Sequence, residues 1–203
     1  MRRTLVIAAA AVAALALGAA SRALERTDLA AAATIPTGGA SLYNLDQTWT
    51  SQEGARMPLR ALAGKPVVAA MGYTTCKNIC PAIVADMMWI EKHLTPAEAE
   101  RVRFAFFSLD PAADTPERLK LYAEGHGLDA ARWTLLTADE DAVRELAQAL
   151  NIGYRPDGQG GFDHSAVISL VDSKGEIVFQ QRGPKASSEE FLGKLRALLS
   201  DAD

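Results

Sequence analysis

The sequence predicts an α/β domain with a central mixed β-sheet flanked by helices. Apolar runs that fit buried strands, at residues 67–71, 102–108 and 164–171, alternate with segments whose apolar positions recur with helical period. Helix-start signals stand between them, at Thr95-Pro96-Ala97-Glu98 and Thr115-Pro116-Glu117. A turn at Asp172-Ser173-Lys174-Gly175 folds the last apolar run back as a hairpin.

The chain opens on a targeting segment. Arg2 and Arg3 form a basic start, residues 5–20 carry no charge, and Gly18-Ala19-Ala20 offers small residues for cleavage. As a helix the uncharged run of 16 residues would span about 24 Å, short of a hydrocarbon core about 30 Å thick. Residue chemistry alone favours a cleaved signal peptide over an uncleaved membrane anchor in residues 1–22. Either way the folded part is exported, to the periplasmic space or the periplasmic face of the inner membrane. There it meets oxidising conditions in which a cysteine pair can cross-link. No cysteine lies near the cleavage region, which excludes a lipid attached to one there.

Residues 23–40 mix Ala, Thr, Pro and Gly without period and read as a linker, leaving 41–203 as the domain. Leu42, Tyr43, Leu45 and Trp49 around Asp46-Gln47 have the pattern of an added N-terminal hairpin. The turn-rich residues 59–64 approach the first core strand, 67–71. A helix with Pro81 in its first turn runs to Lys92, with His93 at its end. A short helix after Thr95 leads to the second core strand, 102–108, which Asp110-Pro111 ends. The next helix carries Leu119 and Tyr122 inward and ends near Gly125. Residues 133–136 form a short strand, and 139–150 an amphipathic helix with Val143, Leu146, Ala147 and Leu150 on one face. Residues 151–163 read as an irregular Gly-rich loop, of a length that is usually mobile or functional. Strands at 164–171 and 176–181 close the sheet. Ser187-Ser188-Glu189-Glu190, spaced as a capping box, opens a last helix that buries Phe191, Leu192, Leu195 and Leu198. That order, with a cysteine loop after the first core strand, describes a thioredoxin-like domain.

Composition narrows the function classes. The 203 residues are 49% hydrophobic, enough for a core that needs no staple. The net charge of −4, without a block of like charges, gives no electrostatic support for nucleic-acid binding. No internal repeat appears.

The two cysteines of the chain, Cys76 and Cys80, stand between a strand end and a helix start, where open α/β sheets place their chemistry. Near a helix N-terminus the macrodipole stabilises thiolate, which favours a reactive Cys80, and Lys77 pushes the same way. Cysteines four apart can form a disulfide or share one ion. Thiolates are soft ligands that select Cu(I), zinc or iron–sulfur centres, and two of them need a third ligand. Of the three histidines, His93 and His126 fall at helix ends and read as surface residues. His164 stands where the Gly-rich loop enters a strand, between Asp163 and Ser165, and fits either a hydrogen-bonded strand end or a ligand.

The run Gly72-Tyr73-Thr74-Thr75-Cys76, three residues, Cys80-Pro81 resembles the copper-binding motif of the Sco/SenC family. Ser108-Leu109-Asp110-Pro111 with Asp114-Thr115-Pro116-Glu117 is similar to the family's segment after the second core strand, and Asp163-His164-Ser165 to the block that supplies its histidine ligand. The resemblance covers about residues 41–199. It implies a thioredoxin-like fold and a metal site of Cys76, Cys80 and His164 holding Cu(I), Cu(II) or both. It implies delivery of copper to, or reduction of the thiols of, the copper centre of a respiratory oxidase. A copper-accepting oxidase subunit or another copper protein would then be a partner, with a periplasmic thiol reductant acting on the pair. The family's common amino-terminal anchor favours membrane contact through an uncleaved segment. Lys77-Asn78, where the family often has Pro-Asp, and Ala82-Ile83-Val84, where its helix start is more acidic, depart from the pattern beside the ligands. Asp163, Asp110 and Asp114 are candidates to orient the ligands, although Asp114 also suits a cap of the helix at Pro116. Tyr73 fits shielding of the site or packing. On this reading the 151–163 loop becomes ordered as His164 is drawn to the metal.

The main rival is a thiol–disulfide oxidoreductase of the same fold, using Cys76 and Cys80 for electron transfer without metal. Against it, thioredoxin-type enzymes use Cys-x-x-Cys, and the spacing here is one residue longer. No proline precedes the His164 strand to supply their cis-proline. A peroxidase has Thr74-Thr75-Cys76 in its favour and no Arg partner nearby. A structural disulfide or a pure interaction module leaves the Cys–His combination idle.

Overall fold

The computed structural model describes residues 41–184 and 188–200. The targeting segment, the linker and Ser187 lie outside the described residues.

A seven-stranded mixed sheet forms the centre, in the order β2-β1-β5-β4-β3-β8-β9. Its strands are β1 (Thr48–Ser51), β2 (Arg56–Pro58), β3 (Val67–Gly72), β4 (Arg103–Ser108), β5 (Trp133–Thr137), β8 (Val167–Val171) and β9 (Ile177–Arg182). β6 (Tyr154–Pro156) and β7 (Phe162–His164) form a separate two-stranded sheet. The helices are α1 (Cys80–Lys92), α2 (Pro96–Ala99), α3 (Pro116–His126), α4 (Glu140–Ala149) and α5 (Glu189–Ser200).

β3, β4 and β5 run parallel, joined by crossovers through α1 with α2 and through α3. β8 is antiparallel to β3, and β9 to β8. β3 and β4 end side by side, with Gly72 paired to Ser108. The antiparallel β8 begins near that same edge, since Ala70 faces Ile168. Three chain segments therefore converge at one end of the sheet: the loop after β3, the loop after β4 and the entry to β8.

Successive residues of a strand face opposite sides, so burial on both sides needs a continuous apolar run. β3 shows this. Val67, Ala69 and Met71 pack with Phe107, Val143, Leu146 and Leu150 on the α4 side. Val68 and Ala70 pack with Ile83, Met87, Phe106, Leu119 and Phe191 on the side covered by α1, α3 and α5. Trp49 of β1, fully buried, meets Phe107 edge-to-face at 5.0 Å.

Most predicted elements stand where their local chemistry put them. Thr95 and Glu98 form the reciprocal capping box that opens α2. Thr115 caps α3, and Asp139 caps α4. Some boundaries moved. The N-terminal hairpin does not turn at Asp46-Gln47. A 3-10 turn at Leu42–Asn44 precedes β1, and the reversal falls after Ser51, whose hydroxyl accepts from the amides of Glu53 and Ala55. Residues 59–62 wind into a 3-10 turn that buries Leu59 and Leu62. α3 continues past Gly125 and closes at Gly127, whose φ of +68° is the left-handed cap conformation that glycine adopts freely. His126 is thus the last helical residue. In α5 it is Leu199 that is buried, with Leu198 half-buried.

The largest correction concerns the predicted irregular loop. Residues 154–164 are a β-hairpin, with Tyr154 paired to His164 and Pro156 to Phe162. The Asp157 carboxylate accepts from the amides of Gln159 and Gly161, which tightens the reversal. His164 ends β7 rather than starting the core strand, which begins at Val167.

Candidate metal centre

The loop between β3 and α1 presents the cysteines. A tight turn, with the Cys76 amide donating to the Tyr73 carbonyl at 3.2 Å, brings the Cys76 sulfur over the first turn of α1. There it accepts from the Cys80 amide at 3.4 Å. Cys80 is the first helical residue, followed by Pro81, which has no amide to leave unsatisfied. Its sulfur points inward, fully buried, against Gly72 and Phe106. Gly72 is required by that contact, since a Cβ there would lie 2.9 Å from the Cys80 sulfur and 2.8 Å from the Phe106 ring.

His164 arrives from the β6–β7 hairpin. Its Nε2 lies 3.1 Å from the Cys80 sulfur, while Nδ1 is 3.2 Å from the Ser165 carbonyl. With Nδ1–H donated to that carbonyl, Nε2 carries the free lone pair toward the sulfurs. The two sulfurs and one ring nitrogen all lie within 4.8 Å of one another, and among the described residues no carboxylate joins them. The sequence candidates Cys76, Cys80 and His164 therefore meet at one point. His93 and His126 do not. Each packs on an aromatic residue one turn earlier, His93 stacked on Trp89 and His126 tilted against Tyr122, with Nδ1 near that residue's carbonyl.

The two thiols differ. Burial pushes Cys76 up, but hydrogen bonds from the Cys80 thiol and from the amides of Cys80, Asn78 and Ile79 outweigh it and hold Cys76 below the usual thiol value. Cys80 is pushed well above that value, chiefly by burial, then by the Cys76 sulfur and the Asp114 carboxylate. This reverses the expectation from position along the helix. The helix N-terminus stabilises the sulfur that lies over its free amides, and that sulfur belongs to Cys76. Lys77 is exposed and does not enter. Burial holds the His164 imidazole below its usual value, hence neutral and able to ligate.

Tyr73 does more than pack. Its hydroxyl donates to the Phe162 carbonyl and accepts from the Phe162 amide, both at 3.1 Å. Its ring meets those of Phe162 and His164 edge-on, at 5.7 and 6.0 Å. One side chain of the cysteine loop thus anchors the strand that carries the histidine. Sequence reasoning missed the bond, because its partner is backbone and carries no residue signature.

Of the three aspartates, Asp163 is exposed and pairs with Arg155 at 3.3 Å. Asp110 accepts from the Ala113 amide within its own loop. Asp114 is not the helix cap, since the Thr115 hydroxyl takes the Arg118 amide. Asp114 is instead fully buried, and its carboxylate accepts from the Thr74 amide at 3.1 Å, the Thr74 hydroxyl at 2.5 Å and the Ser108 hydroxyl at 2.6 Å. A signal for this was present in the sequence, since Thr115 before Pro116 already supplies a cap and leaves Asp114 without one to make.

The family model described as SCO1/SenC matches residues 37–200. The chain belongs to the SCO1/SenC family. It is 31% identical over 139 residues to the SCO1 protein homolog of Bacillus subtilis, covering 67% of this chain and 72% of that one. The matches to six further curated relatives span 44% to 64% of their lengths. Among solved structures it is similar to Bradyrhizobium japonicum ScoI with copper bound, with a TM-score of 0.64 and 27% identity, covering 75% of this chain and 96% of that one. It is also similar to BsSco, described as having a disulfide switch and as a member of the Sco family of cytochrome c oxidase assembly proteins. There the TM-score is 0.64 and the identity 28%, covering 74% of this SCO1/SenC chain and 90% of BsSco. The SCO1/SenC domain is a thioredoxin-like fold, as its element order predicts. Among the described residues it contains no cis peptide bond and no helix long and apolar enough to cross a membrane.

Proposed function

We propose that this SCO1/SenC protein binds one copper ion through Cys76, Cys80 and His164 and passes it to the copper centre of a respiratory oxidase or to another copper protein. The observation that carries this is the meeting of two sulfurs and one imidazole nitrogen within 4.8 Å. That donor set is soft, and it offers three ligands. Structural zinc takes four, whereas two thiolates and one neutral imidazole suit Cu(I), and the nitrogen adds affinity for Cu(II). Bound copper supplies the cargo. The chain's own residues hold the sulfurs apart from solvent, keep His164 neutral and leave Cys76 at the rim. The copper-bound ScoI relative supports the reading.

We place the domain on the exported side, tethered or released according to the fate of residues 1–22, with 23–40 as its linker. The test is metal analysis of the reduced domain after loading with Cu(II) or Cu(I), then incubation with a soluble copper-accepting oxidase fragment. One copper per chain that moves to the acceptor is the expected result. A domain that binds no copper would refute the reading.

A second reading, thiol–disulfide exchange, is favoured by one specific feature. Cys76 is the thiol with the lowered pKa and lies nearer the surface, while Cys80 is fully buried behind it. That is the arrangement of an attacking and a resolving sulfur. The two roles are compatible, because copper requires the reduced pair and a thiol reductant would restore it.

A further inference from the structure

The proposed site needs the cysteine loop held in place, and a residue outside the ligand set contributes to that holding. That residue is Asp114. It lies on the stretch between β4 and α3, 38 residues after Cys76 in the sequence. The residue is fully buried, and its carboxylate accepts from Thr74 and Ser108 rather than from the helix that follows it. The Thr74 amide and hydroxyl reach it from one side, and the Ser108 hydroxyl from the other. Ser108 is the last residue of β4 and pairs with Gly72, the last residue of β3. Its hydroxyl also accepts from the Asp110 amide. The carboxylate thus joins the last residue of β4 to the residue two before Cys76.

A buried carboxylate is costly to keep unless its lone pairs are used. Here they are used on the Thr74 amide and hydroxyl and on the Ser108 hydroxyl. Thr74 follows Tyr73, whose carbonyl accepts the Cys76 amide, so fixing Thr74 fixes the turn that lays the Cys76 sulfur over α1.

We infer that Asp114 is a positioning residue for the Cys76–Cys80 pair, acting through Thr74 to set the loop that presents both sulfurs. The inference rests on the proposed copper site for its metal readout, and on the cysteine pair alone for its redox readout.

The test uses Asp114→Ala, Asp114→Asn and Thr74→Val in the full domain, with wild type alongside. Fold is checked by far-ultraviolet circular dichroism at a temperature where wild type is native. Two quantities are read: the disulfide midpoint potential of Cys76–Cys80, and the charge-transfer band and affinity on titration with Cu(II). Asp114→Ala and Thr74→Val are expected to change the thiol–disulfide equilibrium at least tenfold, a shift of about 30 mV for the two-electron couple. Both should weaken copper binding at least tenfold. Asp114→Asn keeps an acceptor for the Thr74 amide and should restore part of both. If Asp114→Ala does not fold, Thr74→Val decides, because it keeps the shape of the loop and removes one of the bonds. Folded variants with wild-type potential and wild-type copper titration would overturn the inference and leave Asp114 a structural residue alone. If wild type itself binds no copper, the copper reading fails, and the potential still decides the role of Asp114.

Discussion

The sulfur of Cys76 caps the helix that Cys80 begins, accepting the Cys80 amide at 3.4 Å. Four residues apart in sequence, the two cysteines therefore occupy opposite electrostatic settings. One lies over free amides at a helix start, near the surface; the other lies behind it in an apolar pocket.

This difference predicts the order of alkylation. Thiolate is the reactive form, so a lowered pKa means more reactive sulfur at neutral pH. Cys76 is lowered and Cys80 raised. Limiting iodoacetamide on the reduced metal-free domain at pH 7 should label Cys76 first. Its rate should fall as pH drops through the Cys76 pKa, while Cys80 should gain reactivity only in alkali. Peptide mass spectrometry reads the site, and equal labelling of both at pH 7 would contradict the assignment.

The ligand set predicts two kinds of loss. Cys76→Ser and Cys80→Ser should each lose copper on gel filtration, since an alcohol is a poor ligand for Cu(I). His164→Ala should keep Cu(I) on the two thiolates and lose the Cu(II) thiolate charge-transfer band. A band unchanged by that substitution would remove His164 from the site.

The Tyr73–Phe162 bonds predict a role for a hydroxyl that is not itself a ligand and that ties the cysteine loop to the strand carrying His164. Tyr73→Phe deletes both and strands the Phe162 amide, at a cost of about 1–2 kcal/mol. Because β7 then loses its anchor, hydrogen exchange at residues 162–164 should rise, and the Cu(II) band should weaken without vanishing. The anchoring also revises the expectation that the segment before His164 orders on metal binding. The hairpin is already paired and tied, with Nε2 3.1 Å from the Cys80 sulfur. Exchange rates in the reduced metal-free and copper-loaded forms should be nearly equal there. A large protection gained only with copper would restore the earlier expectation.

Gly72 is a sensitive position beside the ligands. A methyl group there would overlap the Cys80 sulfur and the Phe106 ring. Gly72→Ala should cost about 1–3 kcal/mol, as overpacking does, and should move the Cys80 sulfur. A lowered melting temperature together with weaker copper binding is expected. Unchanged stability would show that the sulfur has room to move.

How much of this was legible beforehand follows from the range of each signal. Strand and helix type at β3, β4 and α4, and the capping box at Thr95, depend on residues within one turn or one pleat of each other. Sequence alone therefore determined them, and with them the placing of the cysteine loop at a strand end. Cys76 and Cys80 were also legible as a pair of soft ligands, because softness belongs to the side chains, whereas His164 joined them only through the resemblance to the Sco/SenC family.

The tertiary structure decided what depends on contacts between distant segments. It settled that the Gly-rich stretch pairs as β6 and β7, since that ladder joins residues whose spacing carries no strong period. It also decided that Cys76 rather than Cys80 is the favoured thiolate, because a helix field acts on whichever atom lies over its amides. It turned Asp114 from a helix cap into a tether, since burial at the ends of β3 and β4 brought Thr74 and Ser108 to its carboxylate. Chain neighbours set local conformation, whereas charge, burial and hydrogen-bond partners belong to the space that the fold encloses.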